Sequence, residues 1–299
     1  MKVAIVQFKP RKGCYTENLA AATQAFAQMG AQGLPDLVVL PEAALTGYFL
    51  EGAVYELAQS AQHCARDLAA AWRQANGAAP VELVCGFYEN DAGTYYNSAL
   101  YLTIEPDAYR IVHVHRKLFL PTYGVFDEDR FLSRGRRVAA FETPFGRAAI
   151  LLCEDLWHSI VPTMAALKGA RLLIVPSAAP GRGIDASCAG ELTSVTRWRE
   201  LLSLTAGEHG VFIIYAGLVG FEGGKGFTGS SSVVDPHGVA LVRADALDAC
   251  IVRAQLDLRE IDAARANLPL LGDLNAVLCD LFLDDELPLP HCRCDASSR

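Results

Sequence analysis

The sequence predicts an α/β protein in which helices and mixed β-sheets pack in layers as a single domain. Short apolar runs rich in β-branched residues alternate with helical segments along the chain. Two of these runs flank an Asn-Asp-Ala-Gly turn at 90–93, which is typical of an antiparallel hairpin. No low-complexity linker and no repeat of fixed period divides the 299 residues, so the alternation favours one layered sandwich.

Each predicted strand is a short apolar run that ends at a polar or turn residue. We expect strands at 3–8, 37–40, 81–89, 96–103 and 109–114 in the first half, and at 147–152, 172–176, 211–218, 231–235 and 250–256 in the second. Helices are expected from the N-cap Thr16 to about 29, and at 57–74, 161–168 and 190–209. After Asp257 the chain is expected to be helical and then irregular.

Composition argues against two classes of protein. The net charge is −8 and the pI about 5.4, which disfavours nucleic-acid binding. The densest basic cluster, Arg134, Arg136 and Arg137, is explained by a solvated loop. Mean hydropathy is +0.20, yet no apolar run approaches the roughly 18–20 residues that span a membrane. Because the sequence enters its first strand without signal-peptide features, we expect a cytoplasmic protein.

The nine cysteines are odd in number and scattered, so we expect no disulfide framework and mostly small buried side chains. The one close pair, Cys292 and Cys294, follows His291 in a polar tail and lacks a second pair at ligand spacing. A metal site is therefore not expected there.

Three polar residues stand where predicted apolar runs end: Glu42 closes LVVLPE, Lys117 closes IVHVHRK and Cys153 closes AAILLC. In α/β sheets the carboxyl ends of strands carry functional sites, because the loops there vary over a rigid scaffold. A thiolate can attack a carbonyl, a carboxylate can take the thiol proton, and an ammonium can stabilise the oxyanion. Each residue alone also has an ordinary explanation as a cap, a solvated lysine or a core cysteine. The surrounding motifs therefore decide between a catalytic and a structural role.

Those motifs resemble the nitrilase superfamily of carbon–nitrogen hydrolases over nearly the whole chain. They are VAIVQFKP near the start, LPEAALTGY around Glu42, HRKLFLPTYGVFDEDRFLSRG around Lys117, LLCEDLWHS around Cys153 and FTGSSSVVDPHG at 227–238. The resemblance implies a four-layer αββα sandwich with mixed sheets. It also implies a hydrolase domain at 1–265 and a C-terminal extension at 266–299, which would lie at a subunit interface of a homodimer or larger even homo-oligomer.

The resemblance assigns a role to each matching residue. It implies that Glu42 is the general base, Cys153 the nucleophile and Lys117 the stabiliser of the tetrahedral intermediate. Glu128, in FDEDRF, would orient the lysine and the substrate amide. The oxyanion hole would combine the Lys117 ammonium with the backbone N–H of Glu154, and no metal or organic cofactor would be needed.

Within the superfamily, YGVFDE and CEDLW are most similar to the glutaminase domain of glutamine-dependent NAD synthetases. The resemblance implies that Tyr123, Glu154, Ser177 and Arg182 bind the substrate. A glutamate facing an ammonium and an arginine facing a carboxylate are complementary in charge, which suits an amino-acid head group.

The sequence departs from those synthetases in two ways. It has no SGGxDS-type ATP-pyrophosphatase loop, and their GGQDEL-like stretch is shortened to GGKGFTG at 223–229. We therefore expect a stand-alone amidase that cleaves a small carboxamide through a cysteine thioester and releases ammonia and a carboxylic acid. The alternatives are a glutaminase subunit that supplies a separate synthetase, a nitrilase and an acyltransferase. A non-enzymatic binding module is disfavoured because Glu42, Lys117 and Cys153 are all present.

Overall fold

Two six-stranded mixed sheets lie face to face in the computed structural model, which describes residues 1–30, 33–183 and 191–282. The first sheet consists of β1 (Lys2–Gln7), β2 (Leu37–Val39), β3 (Val81–Asp91), β4 (Thr94–Ile104), β5 (Tyr109–Arg116) and β14 (Cys250–Gln255). Their order across the sheet is β14-β1-β2-β3-β4-β5. Strands β1, β2 and β3 are parallel, and the other neighbours are antiparallel.

The second sheet has the same mixed character. It consists of β6 (Phe141–Thr143), β7 (Gly146–Ile150), β8 (Leu172–Ser177), β9 (Phe212–Gly217), β12 (Ser232–Val234) and β13 (Ala240–Arg243). The order is β13-β12-β9-β8-β7-β6, with a parallel centre of β7, β8 and β9. A separate two-stranded ribbon is formed by β10 (Val219–Glu222) and β11 (Lys225–Thr228).

Helices cover the outer face of each sheet. Helices α1 (Tyr15–Gly30) and α3 (Ala61–Asn76) pack on the first sheet, and α5 (Ile160–Leu167) and α6 (Thr193–His209) pack on the second. The remaining helices are α2 (Val54–Leu57), α4 (Glu154–Trp157), α7 (Glu260–Asn267) and α8 (Leu270–Phe282).

Side-chain alternation along the strands separates the layers. On β1, Val3 and Ile5 are buried between the two sheets, whereas Ala4 and Val6 are buried against α1 and α3. A strand with both faces buried has a continuous apolar sequence, as β1 has. The predicted four-layer αββα sandwich with mixed sheets is therefore confirmed.

The differences from the predicted elements lie at helix starts and in very short strands. The first helix begins at Tyr15, one residue before the expected N-cap Thr16. The helix expected from Leu57 begins at Ala61, because the Ser60 side chain accepts a hydrogen bond from the His63 N–H at 3.2 Å and caps it. Strands β6, β10, β11 and β13, of three or four residues each, are not among the predicted strands.

Within the described ranges, no helix is both long and apolar enough to cross a lipid bilayer. In the same ranges, no cluster of three or more histidine, cysteine, aspartate or glutamate side chains is arranged to hold a metal ion. The predicted extension at 266–299 is covered only as far as 282, and the acidic segment 284–286, Cys292 and Cys294 lie outside the described residues.

The outer face of α5 and α8 exposes apolar side chains that suit self-association. Ile160 and Met164, one turn apart on α5, are 50% and 37% exposed, and Val277 and Leu281 on α8 are 46% and 51% exposed. Exposed apolar side chains that form a patch mark protein–protein interaction sites. We therefore keep the prediction that the chain forms a homodimer or a larger even homo-oligomer.

Replacing Ile160 by glutamate places a charge on this face and should dissociate the assembly, which sedimentation velocity can measure. Leu247→Glu is the matched control, because Leu247 is 51% exposed in a loop between β13 and β14. A wild-type protein that sediments as a 32.2 kDa monomer at micromolar concentration would contradict the prediction.

Candidate active site

The ends of three strands bring the predicted catalytic residues together. Lys117 directly follows β5 of the first sheet, and Glu42 follows β2 of the same sheet. Cys153 follows β7 of the second sheet and lies just before the short helix α4. These polar side chains meet where the two sheets face each other, as sites at the carboxyl ends of strands do.

Lys117 is the centre of a buried ion cluster. Its Nζ donates hydrogen bonds to Glu42 Oε1 at 2.8 Å and to Glu128 Oε1 at 2.9 Å. All three side chains are buried, with Glu42 and Lys117 at 0% and 1% exposure. The structure thus places the four residues predicted to be catalytic in one site, with Glu128 reaching the lysine from the 3-10 turn Glu128–Arg130.

Two residues that sequence reasoning missed complete this cluster. Asn97 Nδ2 donates to Glu42 Oε1 at 2.7 Å and to Glu128 Oε1 at 3.1 Å. The Tyr48 hydroxyl donates to Glu128 Oε1 as well. The sequence did hold a signal for Asn97, since period-2 alternation places it on the same face of β4 as Ala99 and Tyr101, which are buried between the sheets.

The backbone that carries Tyr48 is itself held by a buried carboxylate. Glu222, on the β10–β11 ribbon, accepts hydrogen bonds from the N–H groups of Tyr48 (3.0 and 3.1 Å) and Phe49 (2.8 Å). The Tyr48 carbonyl accepts from the Tyr88 hydroxyl at 2.5 Å. These contacts fix the ring that reaches Glu128.

The electrostatics keep the lysine charged. Burial lowers the pKa of Lys117, but the carboxylates of Glu128 and Glu42 raise it more, so the pKa lies well above its usual value. Burial raises the pKa of Glu128 above its usual range, with Lys117 opposing and Glu42 reinforcing the shift. Glu128 Oε2 has no hydrogen-bond partner among the described residues, which leaves one acceptor free in the site.

Cys153 sits on a strained turn. Its φ is 44° and its ψ is −96°, a conformation that costs a residue with a Cβ about 1–3 kcal/mol and is found mainly at functional sites. Burial and the Glu42 carboxylate raise the pKa of the thiol well above its usual value, while Lys117 and the Ser177 hydroxyl lower it by less. The resting thiol is therefore neutral.

Residues at the end of β8 hold the Cys153 thiol and the Glu42 carboxylate in place. Ser177 Oγ donates to Cys153 Sγ at 3.1 Å, and the next residue, Ala178, donates its N–H to Glu42 Oε2 at 2.7 Å. The Cys153 N–H donates to the Pro176 carbonyl at 3.1 Å. Ser177, predicted to bind the substrate head group, is fully buried against the thiol instead of lining the cleft.

The other predicted binding residues line a cleft of about 450 Å³, which Cys153 also lines. Tyr123 donates its hydroxyl to both carboxylate oxygens of Glu154, at 3.0 and 2.9 Å. Burial, followed by the Glu154 carboxylate, raises the pKa of Tyr123 to about 12. The Arg182 guanidinium lies over the rings of Phe126 (4.9 Å) and Tyr123 (5.6 Å). Its Nη2 has no acceptor among the described residues.

A family comparison accounts for this combination of fold and site. Residues 2–266 match the model of the carbon-nitrogen hydrolase family. The chain belongs to that family. The predicted membership of the nitrilase superfamily of carbon–nitrogen hydrolases is confirmed by this match.

Three relatives show where in the family the chain lies. It is 28% identical to a glutamine-dependent NAD(+) synthetase of Thermotoga maritima, over 87% of this chain and 42% of that protein. It is 27% identical to a 2-oxoglutaramate amidase of Bacillus subtilis, over 91% of this chain and 96% of the relative. A carbon-nitrogen hydrolase from Helicobacter pylori G27 superposes with a TM-score of 0.81 at 25% identity, over 93% of this chain and 98% of that structure. The chain spans about two-fifths of the length of the synthetases that it matches.

Asn97→Asp tests the charge balance of the cluster, because it adds a third carboxyl of unchanged size beside Glu42 and Glu128. Burial and the two carboxylates raise the folded-state pKa of the added group above its unfolded value of about 3.9. The variant should therefore be less stable than wild type by about 3 kcal/mol at pH 8, and the deficit should shrink as pH falls towards 5. Urea unfolding at both pH values measures it.

The control for this prediction is Asn97→Leu, which removes the same hydrogen bonds without adding a titrating group. Its deficit relative to wild type should be nearly the same at both pH values. A deficit of Asn97→Asp that did not depend on pH would show that the carboxylates of Glu42 and Glu128 do not interact with position 97 as the contacts indicate.

Proposed function

We propose that the protein hydrolyses a small carboxamide through a thioester on Cys153, releasing ammonia and a carboxylic acid. The observation that carries the proposal is the buried lysine shared by two carboxylates beside a neutral thiol. Membership of the carbon-nitrogen hydrolase family and the likeness to a 2-oxoglutaramate amidase support the same reaction class.

Acylation begins from the neutral thiol. Because the pKa of Cys153 is raised, attack on the amide carbon is coupled to transfer of the thiol proton to Glu42. Glu42 is held for this role by its contacts with Lys117 and the Ala178 N–H. A base fixed by hydrogen bonds needs little reorganisation when the proton moves.

The negative charge on the amide oxygen is stabilised by two donors. Lys117 supplies its ammonium, which stays protonated because of its two carboxylate neighbours. The second donor is the Glu154 N–H, at the first position of α4, where a helix leaves its N–H groups without intrahelical acceptors. Among the described residues no acceptor occupies this N–H.

The same base, Glu42, transfers protons to the leaving nitrogen and from the attacking water. Glu42 returns its proton to the nitrogen, so that ammonia leaves and the thioester forms. The unpaired Oε2 of Glu128 is suited to accept a hydrogen bond from the amide NH₂ group. A water molecule then takes the place of ammonia, gives a proton to Glu42 and attacks the thioester carbon. The C–S bond breaks as Glu42 returns the proton to sulfur, which restores the thiol and releases the carboxylic acid.

The cleft suggests the end groups of the acyl chain. Arg182, free of an acceptor among the described residues, is suited to a carboxylate, and Glu154 is suited to an ammonium. We therefore propose an ω-amide of an amino acid or a closely related acid as substrate. Ser177 acts on the thiol instead, because it is buried and donates to Cys153 Sγ.

A second function, supplying ammonia to a separate synthetase, is favoured by the identity to NAD(+) synthetases. The stand-alone amidase is preferred because the chain matches 96% of the length of the 2-oxoglutaramate amidase. Ammonia release that increases only when a synthetase is added would favour the second function.

Cys153→Ala should abolish ammonia release from the best substrate in a screen of simple amides that includes glutamine and asparagine. Cys153→Ser should lose at least about 10³-fold, because a hydroxyl is a much weaker nucleophile here. Cys64→Ala is the matched control, since Cys64 is buried in α3 away from the site. Hydrolysis retained by Cys153→Ala would refute the mechanism.

Glu42→Gln and Lys117→Ala separate the roles of base and oxyanion donor. Glu42→Gln keeps the shape of the side chain but cannot accept the proton, so turnover should be lost while the fold persists. Lys117→Ala should raise the transition-state barrier by about 3–4 kcal/mol, the scale for an oxyanion donor. Steady-state kinetics and circular dichroism measure both effects, and wild-type kinetics in Glu42→Gln would remove this residue from its role.

Arg182→Ala should raise KM for an amino-acid amide while leaving a simple aliphatic amide nearly unaffected. Loss of a paired charge in a closed pocket costs about 2–5 kcal/mol. Arg130→Ala is a control, because Arg130 is 71% exposed and paired with Asp127. Equal effects on the two substrates, or none, would remove the amino-acid pocket from the proposal but leave the amidase reaction standing.

A further inference from the structure

The proposed chemistry does not use Asp155, a buried carboxylate close in sequence to the proposed nucleophile Cys153. Asp155 is 0% exposed, two residues after the proposed nucleophile. Its Oδ1 accepts hydrogen bonds from the N–H groups of Leu118 (2.9 Å) and Phe119 (3.1 Å). Its Oδ2 accepts from His115 Nε2 at 2.8 Å and from the Leu152 N–H at 3.1 Å. Four donors thus converge on one carboxylate.

The four donors lie on or just after strands of two different sheets. Leu118 directly follows Lys117 at the end of β5, at the edge of the first sheet. Leu152 directly precedes Cys153 after β7, in the second sheet. No strand pairing joins β5 to β7 in the described residues, so the Asp155 side chain is a direct polar link between these two strand ends.

His115 supports the link from inside the first sheet. It lies on β5, is 2% exposed and is paired with Asp155 at 2.8 Å. Because the carboxylate is an acceptor, His115 Nε2 is the donor in this pair. A buried carboxylate with every lone pair engaged by a donor is rigidly held.

We propose that Asp155, supported by His115, is a positioning residue that sets the distance between the Lys117 ammonium and the Cys153 thiol. It acts on the reaction only through these two groups and does not touch the substrate. The inference rests on the proposed function for the roles of Lys117 and Cys153. The contacts that define it stand independently of the substrate.

The test substitution is Asp155→Asn, which keeps the shape but turns one oxygen into an NH₂ group that cannot accept a hydrogen bond. One strand end is then released. We expect kcat per reactive thiol to fall about 100-fold, the scale for a misplacement of about 1 Å, while KM stays within about threefold of wild type. Kinetics are normalised to the number of thiols at position 153 that iodoacetamide alkylates.

Asp235→Asn is the matched control. Asp235 also caps backbone groups, accepting from the N–H groups of His237 and Val239 at 2.9 Å each, but it does so in the turn after β12. The same chemical change there should leave kcat and KM unaltered.

A second readout needs no turnover. The Lys117 charge lowers the pKa of Cys153, so a lysine that drifts away lets the pKa rise. The pH profile of Cys153 alkylation by iodoacetamide, mapped by peptide mass, should therefore move upward by roughly half a pH unit or more in Asp155→Asn. Asp235→Asn should follow the wild-type profile.

A lower melting temperature with a wild-type rate per thiol and a wild-type alkylation profile would overturn the proposal, because Asp155 would then be structural only. If Asp155→Asn does not fold, His115→Phe gives the same two readouts with Asp155 and its three backbone contacts retained. A 3- to 10-fold loss of kcat per thiol is expected there, and no loss overturns the role of His115. If the wild type hydrolyses no amide, the proposed function fails, whereas the alkylation profiles still decide the positioning role.

Discussion

The rest of the structure depends on the interaction of the buried Lys117 ammonium with the buried carboxylates of Glu42 and Glu128. Lys117 is within 2.9 Å of both Glu42 and Glu128, and all three side chains are buried, with Glu128 the most exposed at 7%. Charges removed from water are stable only when paired and hydrogen-bonded, and removal of one partner leaves the others uncompensated at a cost of about 3–5 kcal/mol. The surrounding fold must therefore supply the remaining donors at fixed positions.

Each of the two facing sheets supplies part of the site. The first sheet contributes the carboxylate, the ammonium and Asn97, and the second contributes the thiol together with Ser177 and Ala178 at the end of β8. The strained backbone at Cys153 persists because contacts before and after it hold the turn. The proposed chemistry thus takes place between the two sheets, at residues held by strand ends.

The cleft outside this region is built differently. Tyr123 is 53% exposed, and Arg182 rests on aromatic rings in a loop instead of at a strand end. Loops over a rigid scaffold are where relatives with the same chemistry change their substrates. The buried cluster is therefore the basis of the proposed reaction class, and the cleft is the basis of the proposed end groups.

The same division governs what the sequence predicts. Glu42, Lys117 and Cys153 each end an apolar run, so a local pattern and a recognisable motif identify them. Asn97 and Tyr48 do not end an apolar run. Each stands in a local pattern, but their contacts with Glu128 span 31 and 80 residues of chain and exist only once the sheets are assembled. Ser177, assigned to the substrate head group by resemblance, lies against the Cys153 thiol, to which its Oγ donates a hydrogen bond.

The long strands and helices were likewise predictable from period and caps, in contrast to the ribbon of β10 and β11. That ribbon supplies Glu222, which fixes the backbone of Tyr48. Its strands have four residues each, too few for an alternating pattern to stand out. The sequence therefore predicts the reacting groups better than the groups that hold them.

Mass spectrometry of the acyl-enzyme tests the central claim most directly. The substrate for this experiment is an activated ester of the acyl group that the amide screen selects. Its leaving group needs no protonation, so acylation of Cys153 should be faster than hydrolysis of the thioester. The thioester should therefore accumulate. After an acid quench, the account predicts one acyl group per chain, mapped to the peptide that contains Cys153, and its loss on further incubation. Turnover of the ester with Cys153 unmodified, or with the acyl group on another residue, would contradict it.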